Sequence, residues 1–161
     1  MAKEIERKFL FDGDIDSVLQ QCTERYFIKD FYFNKYSRYR HSTYSYKFSN
    51  EWKNSLITDT IEIKSTGTLV RDEFSFHLTG GEIPEDGTYT PTLDKVRYIY
   101  NYEGHKFEIN IYKDIELVMV EVELKSETEL IKLPDWIGEE VTNNEYYYNK
   151  NLYDRVVSGL V

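Results

Sequence analysis

The chain predicts a mainly β (α+β) fold in which eight or nine strands close into one barrel with a charged interior and a few peripheral helices. Three observations carry this. Period-two alternation of polar and apolar residues runs through most of the sequence. In segment after segment the charged residues stand two positions apart, and so share one face of a strand, while aliphatics take the other. Apolar backs on most strands leave few places for these charges except a common lumen, and closure also removes the exposed sheet edges. Fifteen Tyr, nine Phe and two Trp against three Pro suit such a fold.

The first strand is expected over residues 3–11, with Glu4, Glu6 and Lys8 on one face and Ile5 and Phe9 on the other. Paired carboxylates are what a hard divalent cation requires, and an ammonium one step along can hold a phosphate bridged to that cation. Asp14 then caps a short helix whose Ile15, Val18, Leu19 and Cys22 fall on one side. Strands follow at 26–33, 36–41, 43–48, 59–64, 71–78, 93–102, 106–112 and 117–125, with longer surface loops at 49–58 and 79–91. Turns are expected at 66–68, 80–81, 85–87 and 103–104. A helical stretch over 144–157, broken near Asn149, is expected to pack on the barrel through Tyr146, Tyr147 and Tyr148, with Trp136 as a second anchor; the alternative for the three tyrosines is to stack a base near the tunnel mouth.

Placed in one lumen, these faces supply the acids Glu4, Glu6, Glu62, Glu73, Glu108, Glu121 and Glu123 and the bases Lys8, Arg38, Arg40, Lys64, Arg71, Lys95 and Arg97. The lining is close to neutral in sum yet suited to a polyanion with a divalent metal, Arg making bidentate oxygen contacts and Lys acting as a point charge. The whole chain, with 29 acidic and 20 basic residues, argues against a surface for duplex nucleic acid or anionic membrane. One cysteine permits no internal disulfide, the opening residues MAKEIERK lack the apolar core of a signal peptide, and a cytoplasmic location is expected. The three histidines share no ligand spacing. At 161 residues the chain suits a single domain, residues 1–161.

On these residues the chain resembles the CYTH family, the triphosphate tunnel metalloenzymes, over nearly its full length. The family's Glu-x-Glu-x-Lys is matched by Glu4, Glu6 and Lys8, and its Arg-x-Arg by Arg38 and Arg40, after the run from Asp30 to Asn34. Lys64, Arg71 with Glu73, Lys95 with Arg97, and Glu121 with Glu123 follow in the family's order. Trp136-Ile137-Gly138-Glu139-Glu140-Val141-Thr142 and Tyr148-Asn149 resemble its closing segments. Two departures stand out. Asn110 takes the place of Asp in the Glu-x-Asp element, which offers a metal a neutral oxygen in place of an anion, and Ser75 replaces a second acid after Glu73. The long gap after Arg40 also makes Lys47 a rival of Lys64.

The resemblance implies an eight-stranded antiparallel tunnel that binds a triphosphate with Mg²⁺ or Mn²⁺. By carry-over Glu4, Glu6, Glu108, Glu121 and Glu123 serve the metal. Lys8, Arg38, Arg40, Lys64, Arg71, Lys95 and Arg97 hold phosphates, and Glu4, Glu6, Lys8 and Lys95 carry catalysis. The implied activity is hydrolysis of inorganic tripolyphosphate or a nucleoside triphosphate. Alternatives are a class IV adenylyl cyclase, a thiamine or RNA 5′-triphosphatase taking an RNA end, and, because of Asn110, a binding protein without turnover. Oligomeric state is not legible.

Overall fold

Eight antiparallel strands close on themselves in the computed structural model, which describes residues 2–65, 69–77 and 91–159. The strands are β1 (Ala2–Phe11), β2 (Glu24–Asn34), β3 (Ser37–Phe48), β4 (Glu51–Lys64), β5 (Val70–His77), β6 (Leu93–Tyr102), β7 (His105–Tyr112) and β8 (Val118–Glu123), with a short ninth, β9 (Ile137–Glu140). Helix α1 (Ile15–Gln20), a 3₁₀ turn at Glu145–Tyr147 and helix α2 (Asn149–Ser158) complete the described chain. Round the barrel the order is β5-β4-β3-β2-β6-β7-β8-β1, and pairing of β1 with β5 closes it. β8 takes one edge of β1, while β5 covers the start of the other edge and β9 its end, at Phe9 and Phe11. Gly138 permits that last approach, since a Cβ there would lie 2.9 Å from the Leu10 carbonyl oxygen.

Two expectations need correction. The segments 36–41 and 43–48 form one strand, and the loop expected at 49–58 is the start of β4. The two strands meet in a two-residue turn, Ser49 and Asn50, both with positive φ (51° and 61°), which is the primed geometry that matches strand twist. The turn at 103–104 is present, with φ of 47° and 80°. Those expected at 66–68, 80–81 and 85–87, and nearly all of the 79–91 loop, lie outside the described residues.

Alternation sorts the faces as expected. Phe9, Phe107, Ile109, Val120 and Val122 point outward from β1, β7 and β8 and are buried beneath Val18 of α1 and Trp136. Trp136 stacks on Phe11 at 5.3 Å and meets Tyr100 and Phe107 edge-on at 5.1 and 6.1 Å. Truncating it to alanine is expected to lower stability by about 3–5 kcal/mol, read as a shift of the urea midpoint. A second cluster, Leu93, Tyr112, Met119, Val141, Leu152 and Tyr153, seats α2 over one end of the barrel. Cys22 lies in the core, donating to the Val18 carbonyl, and burial pushes its thiol up to about 11. No helix among the described residues is long and apolar enough to cross a membrane.

Candidate active site

The face opposite those apolar backs lines a cavity of about 200 Å³ inside the barrel, bounded by Glu4, Glu6, Lys8, Arg38, Arg40, Glu62, Lys64, Glu73, Lys95, Arg97, Glu108, Glu121, Glu123 and Asn149. Of the residues expected at the site, all but Arg71 line this cavity. Arg71 lines an adjoining vestibule of about 390 Å³ together with Tyr32, Lys35, Tyr36, Tyr148 and Lys150, and it approaches Glu4 and Glu6 from there. Lys47 instead reaches toward the Gln20 carbonyl and Trp52, so Lys64 is the lumen lysine.

Register places the charges against one another. Lys8 faces Glu121 across the β1–β8 pair, and its ammonium lies 3.1 Å from Glu6 and 3.3 Å from Glu121. The two carboxyls also meet. Burial and the neighbouring Glu121 charge push Glu6 up to about 8, while Glu121 is held well below the ordinary range, against its own burial, by Lys8. Two buried carboxylates this close hold one proton between them. Next to them Lys64 lies 2.8 Å from Glu4 Oε2, and it helps to keep Glu4 ionised against burial.

On the other wall Asp30, fully buried on β2, takes both Nε and Nη2 of Arg40, at 2.7 and 2.8 Å. Burial works against the charge of Asp30, yet Arg40 and then Arg38 hold its carboxyl well below the usual range. Arg38 is fixed in turn by Glu62 and by the Tyr32 hydroxyl. Asn149, the first residue of α2, donates to Asp30 at 3.0 Å and to Tyr32 at 2.8 Å, and accepts from Tyr112 at 3.1 Å. Neither Asp30 nor Asn149 was expected among the site residues. Asp30 carries a readable signal, since it alternates with the outward Phe31 and Phe33, whereas Asn149 reaches the lumen from 119 positions away.

Lys95 differs from the rest. Among the described residues it is the one lumen base that forms no ion pair with a carboxylate; its ammonium makes one long contact to Asn149 Oδ1 at 3.5 Å and lies over the Tyr112 ring, 5.4 Å from its centroid. It is 3% exposed. Burial, then the adjacent Arg97, drive its pKa well below that of an ordinary lysine. A buried cation without a counter-ion is strongly disfavoured unless an anion comes to it.

Among the described residues no three acidic, His or Cys side chains form a ready-made cation cage. The donor chemistry nonetheless fits one divalent ion. A carboxylate pair sharing a proton is the set from which a metal displaces that proton, and Mg²⁺-type sites commonly use one or two carboxylates with substrate phosphates and water as the remaining ligands. Glu6 and Glu121 form that pair, with Glu4 beside them. Glu108 is engaged by Arg97 at 2.7 Å, and Glu123 is solvent-exposed at the rim, outside every ion pair among the described residues. His41 and His105 bind Asp59 and Glu129, away from this lumen.

A closed antiparallel barrel with basic side chains converging on a central cavity, and a carboxylate pair within it, defines a polyanion-binding tunnel. Comparison with known proteins makes this specific. The chain is 32% identical over 158 residues to an inorganic triphosphatase of Acetivibrio thermocellus, covering 94% of each sequence. It is 34% identical over 97 residues to an inorganic triphosphatase of Nitrosomonas europaea, covering 56% of this chain and 64% of that one. A crystal structure of an inorganic triphosphatase superposes with a TM-score of 0.50 at 24% identity, covering 95% of both chains, and so shares the fold. No known family model matches the chain. The chain belongs to the triphosphate tunnel metalloenzyme, or CYTH, family.

Proposed function

We propose that the protein is a metal-dependent triphosphatase that hydrolyses inorganic tripolyphosphate, or a nucleoside triphosphate, inside the barrel and releases orthophosphate. The observation that carries this is the unpaired Lys95 in a lumen whose other bases, Lys8, Arg38, Arg40, Lys64 and Arg97, surround the same cavity. The relative from Acetivibrio thermocellus, named an inorganic triphosphatase, supports the same reading.

In this reading the arginines grip phosphate oxygens in pairs and the lysines act as point charges. Their neutralisation of the charge that builds on the transferring phosphoryl group supplies most of the catalysis. Glu6 and Glu121, with Glu4, would hold the divalent cation, Mg²⁺ or Mn²⁺, both of which suit oxygen ligands. Such an ion polarises a phosphoryl oxygen and offsets its charge. Glu123 is the carboxylate free to orient the attacking water and take its proton. The tyrosine-bearing vestibule leaves room for a nucleoside on the third phosphate, which keeps nucleoside triphosphates within the reading.

The test is anion chromatography of products after incubation with tripolyphosphate, ATP, thiamine triphosphate and 5′-triphosphorylated RNA, in Mg²⁺ and in Mn²⁺. Orthophosphate that depends on metal, and is lost in a Glu4→Gln/Glu6→Gln control, is expected. Pyrophosphate with a cyclic nucleotide would replace this reading by a cyclase, and retention of ligand without product by a receptor.

A further inference from the structure

Asn110 stands where an aspartate was expected, yet it does not present a free oxygen to a metal. It is completely buried on β7 and its amide is fully engaged. Its Oδ1 accepts from Arg97 Nε at 2.8 Å. Its Nδ2 donates to Glu121 Oε1 at 3.1 Å and approaches the carbonyls of Glu108 and Met119, each at 3.2 Å. An aspartate could accept from Arg97 but, ionised, could donate to none of the other three oxygens.

We infer that Asn110 is a positioning residue: its amide ties the Arg97 guanidinium to the Glu121 carboxylate and sets the direction in which each faces the cavity. Resting on the triphosphatase reading above, this makes Asn110 a bridge between the phosphate-binding and the cation-binding halves of the site. Arg97 has two carboxylate neighbours, Glu108 at 2.7 Å and Glu121 at 3.8 Å, either of which could draw it from the substrate. The amide oxygen holds Nε without adding a third negative charge. The amide nitrogen fills one lone pair of Glu121 Oε1, which leaves Oε2 turned toward Lys8. Both functions need a neutral side chain that donates and accepts at once, and at this length that is asparagine.

The experiment is a double-mutant cycle on tripolyphosphate hydrolysis with Asn110→Ala, Arg97→Ala and the pair, together with Asn110→Asp and thermal melts of every variant. Asn110→Ala is expected to raise KM about tenfold, the loss from one charge-assisted hydrogen bond. In the Arg97→Ala background the same change is expected to add clearly less than about tenfold, because the part exerted through Arg97 is already lost and only the part through Glu121 remains. Asn110→Asp, which retains the acceptor for Arg97 but sets a negative charge against the Glu121 carboxylate, is expected to raise KM several-fold without raising kcat. Additive effects in the cycle overturn the inference, as does a lowered melting temperature with kcat and KM unchanged. A rise in kcat for Asn110→Asp at constant KM also overturns it, since the position would then be a metal ligand lost in this chain. A wild-type protein without hydrolysis refutes the triphosphatase reading itself and is seen before any variant is made.

Discussion

Replacing Lys95 with methionine is expected to lower tripolyphosphate turnover by on the order of 10²–10³-fold, the usual cost of removing one preorganised charge from a phosphoryl or oxyanion site. Stability is expected to move the other way or stay level. The lysine is 3% exposed, forms no ion pair, and has only a 3.5 Å contact to Asn149 and the Tyr112 ring at 5.4 Å, so the burial of its charge is poorly offset in the free protein. Methionine fills nearly the same volume without the desolvation cost. Steady-state kinetics and a thermal melt of the same preparation read both effects. A large drop in melting temperature with turnover intact would show that Lys95 serves the fold alone.

Asp30 predicts the opposite balance. Removing its carboxylate with Asp30→Ala leaves Arg40 without its bidentate partner in a buried site, at an expected cost of about 3–5 kcal/mol. The contribution has a pH sign. The folded-state pKa of Asp30 is depressed, so its stabilisation is complete above the ordinary carboxylate range and fades as pH falls below about 4 toward the depressed value. The gap in urea midpoint between wild type and Asp30→Asn is therefore expected to be widest near neutrality and to close on acidification. A gap independent of pH would mean that the carboxylate does not titrate as its arginine neighbours require.

These two residues also show what the sequence reveals. Lys95 is legible because it sits two positions from Arg97 on a strand whose other face is apolar, and the same period-two logic finds Glu4, Glu6, Lys8, Arg38, Arg40, Glu121 and Glu123. Asp30 obeys that period as well, but its place among phenylalanines and tyrosines reads as one acid on an aromatic strand until Arg40 is found opposite it in register. Asn149 and Asn110 are of another kind. Their roles rest on hydrogen bonds to residues distant in the chain, and a neutral amide gives no charge pattern from which to infer a partner. The fold shows the same division. Strand alternation is local, and so is visible, whereas the Ser49-Asn50 turn looked like the start of a loop because Lys53, Asn54 and Ser55 follow it. β9 is four residues long and is defined by the edge of β1 that it covers, which no local pattern encodes.

The central claim, that one lumen binds both triphosphate and cation, is tested most directly by a crystal structure with Mn²⁺ and a non-hydrolysable imidotriphosphate, the metal located by its anomalous signal. The expected result is a manganese ion on Glu6 and Glu121, with phosphate oxygens against Lys95, Arg97 and Arg40. Manganese or ligand bound outside the barrel, with the lumen ion pairs unchanged, would contradict it.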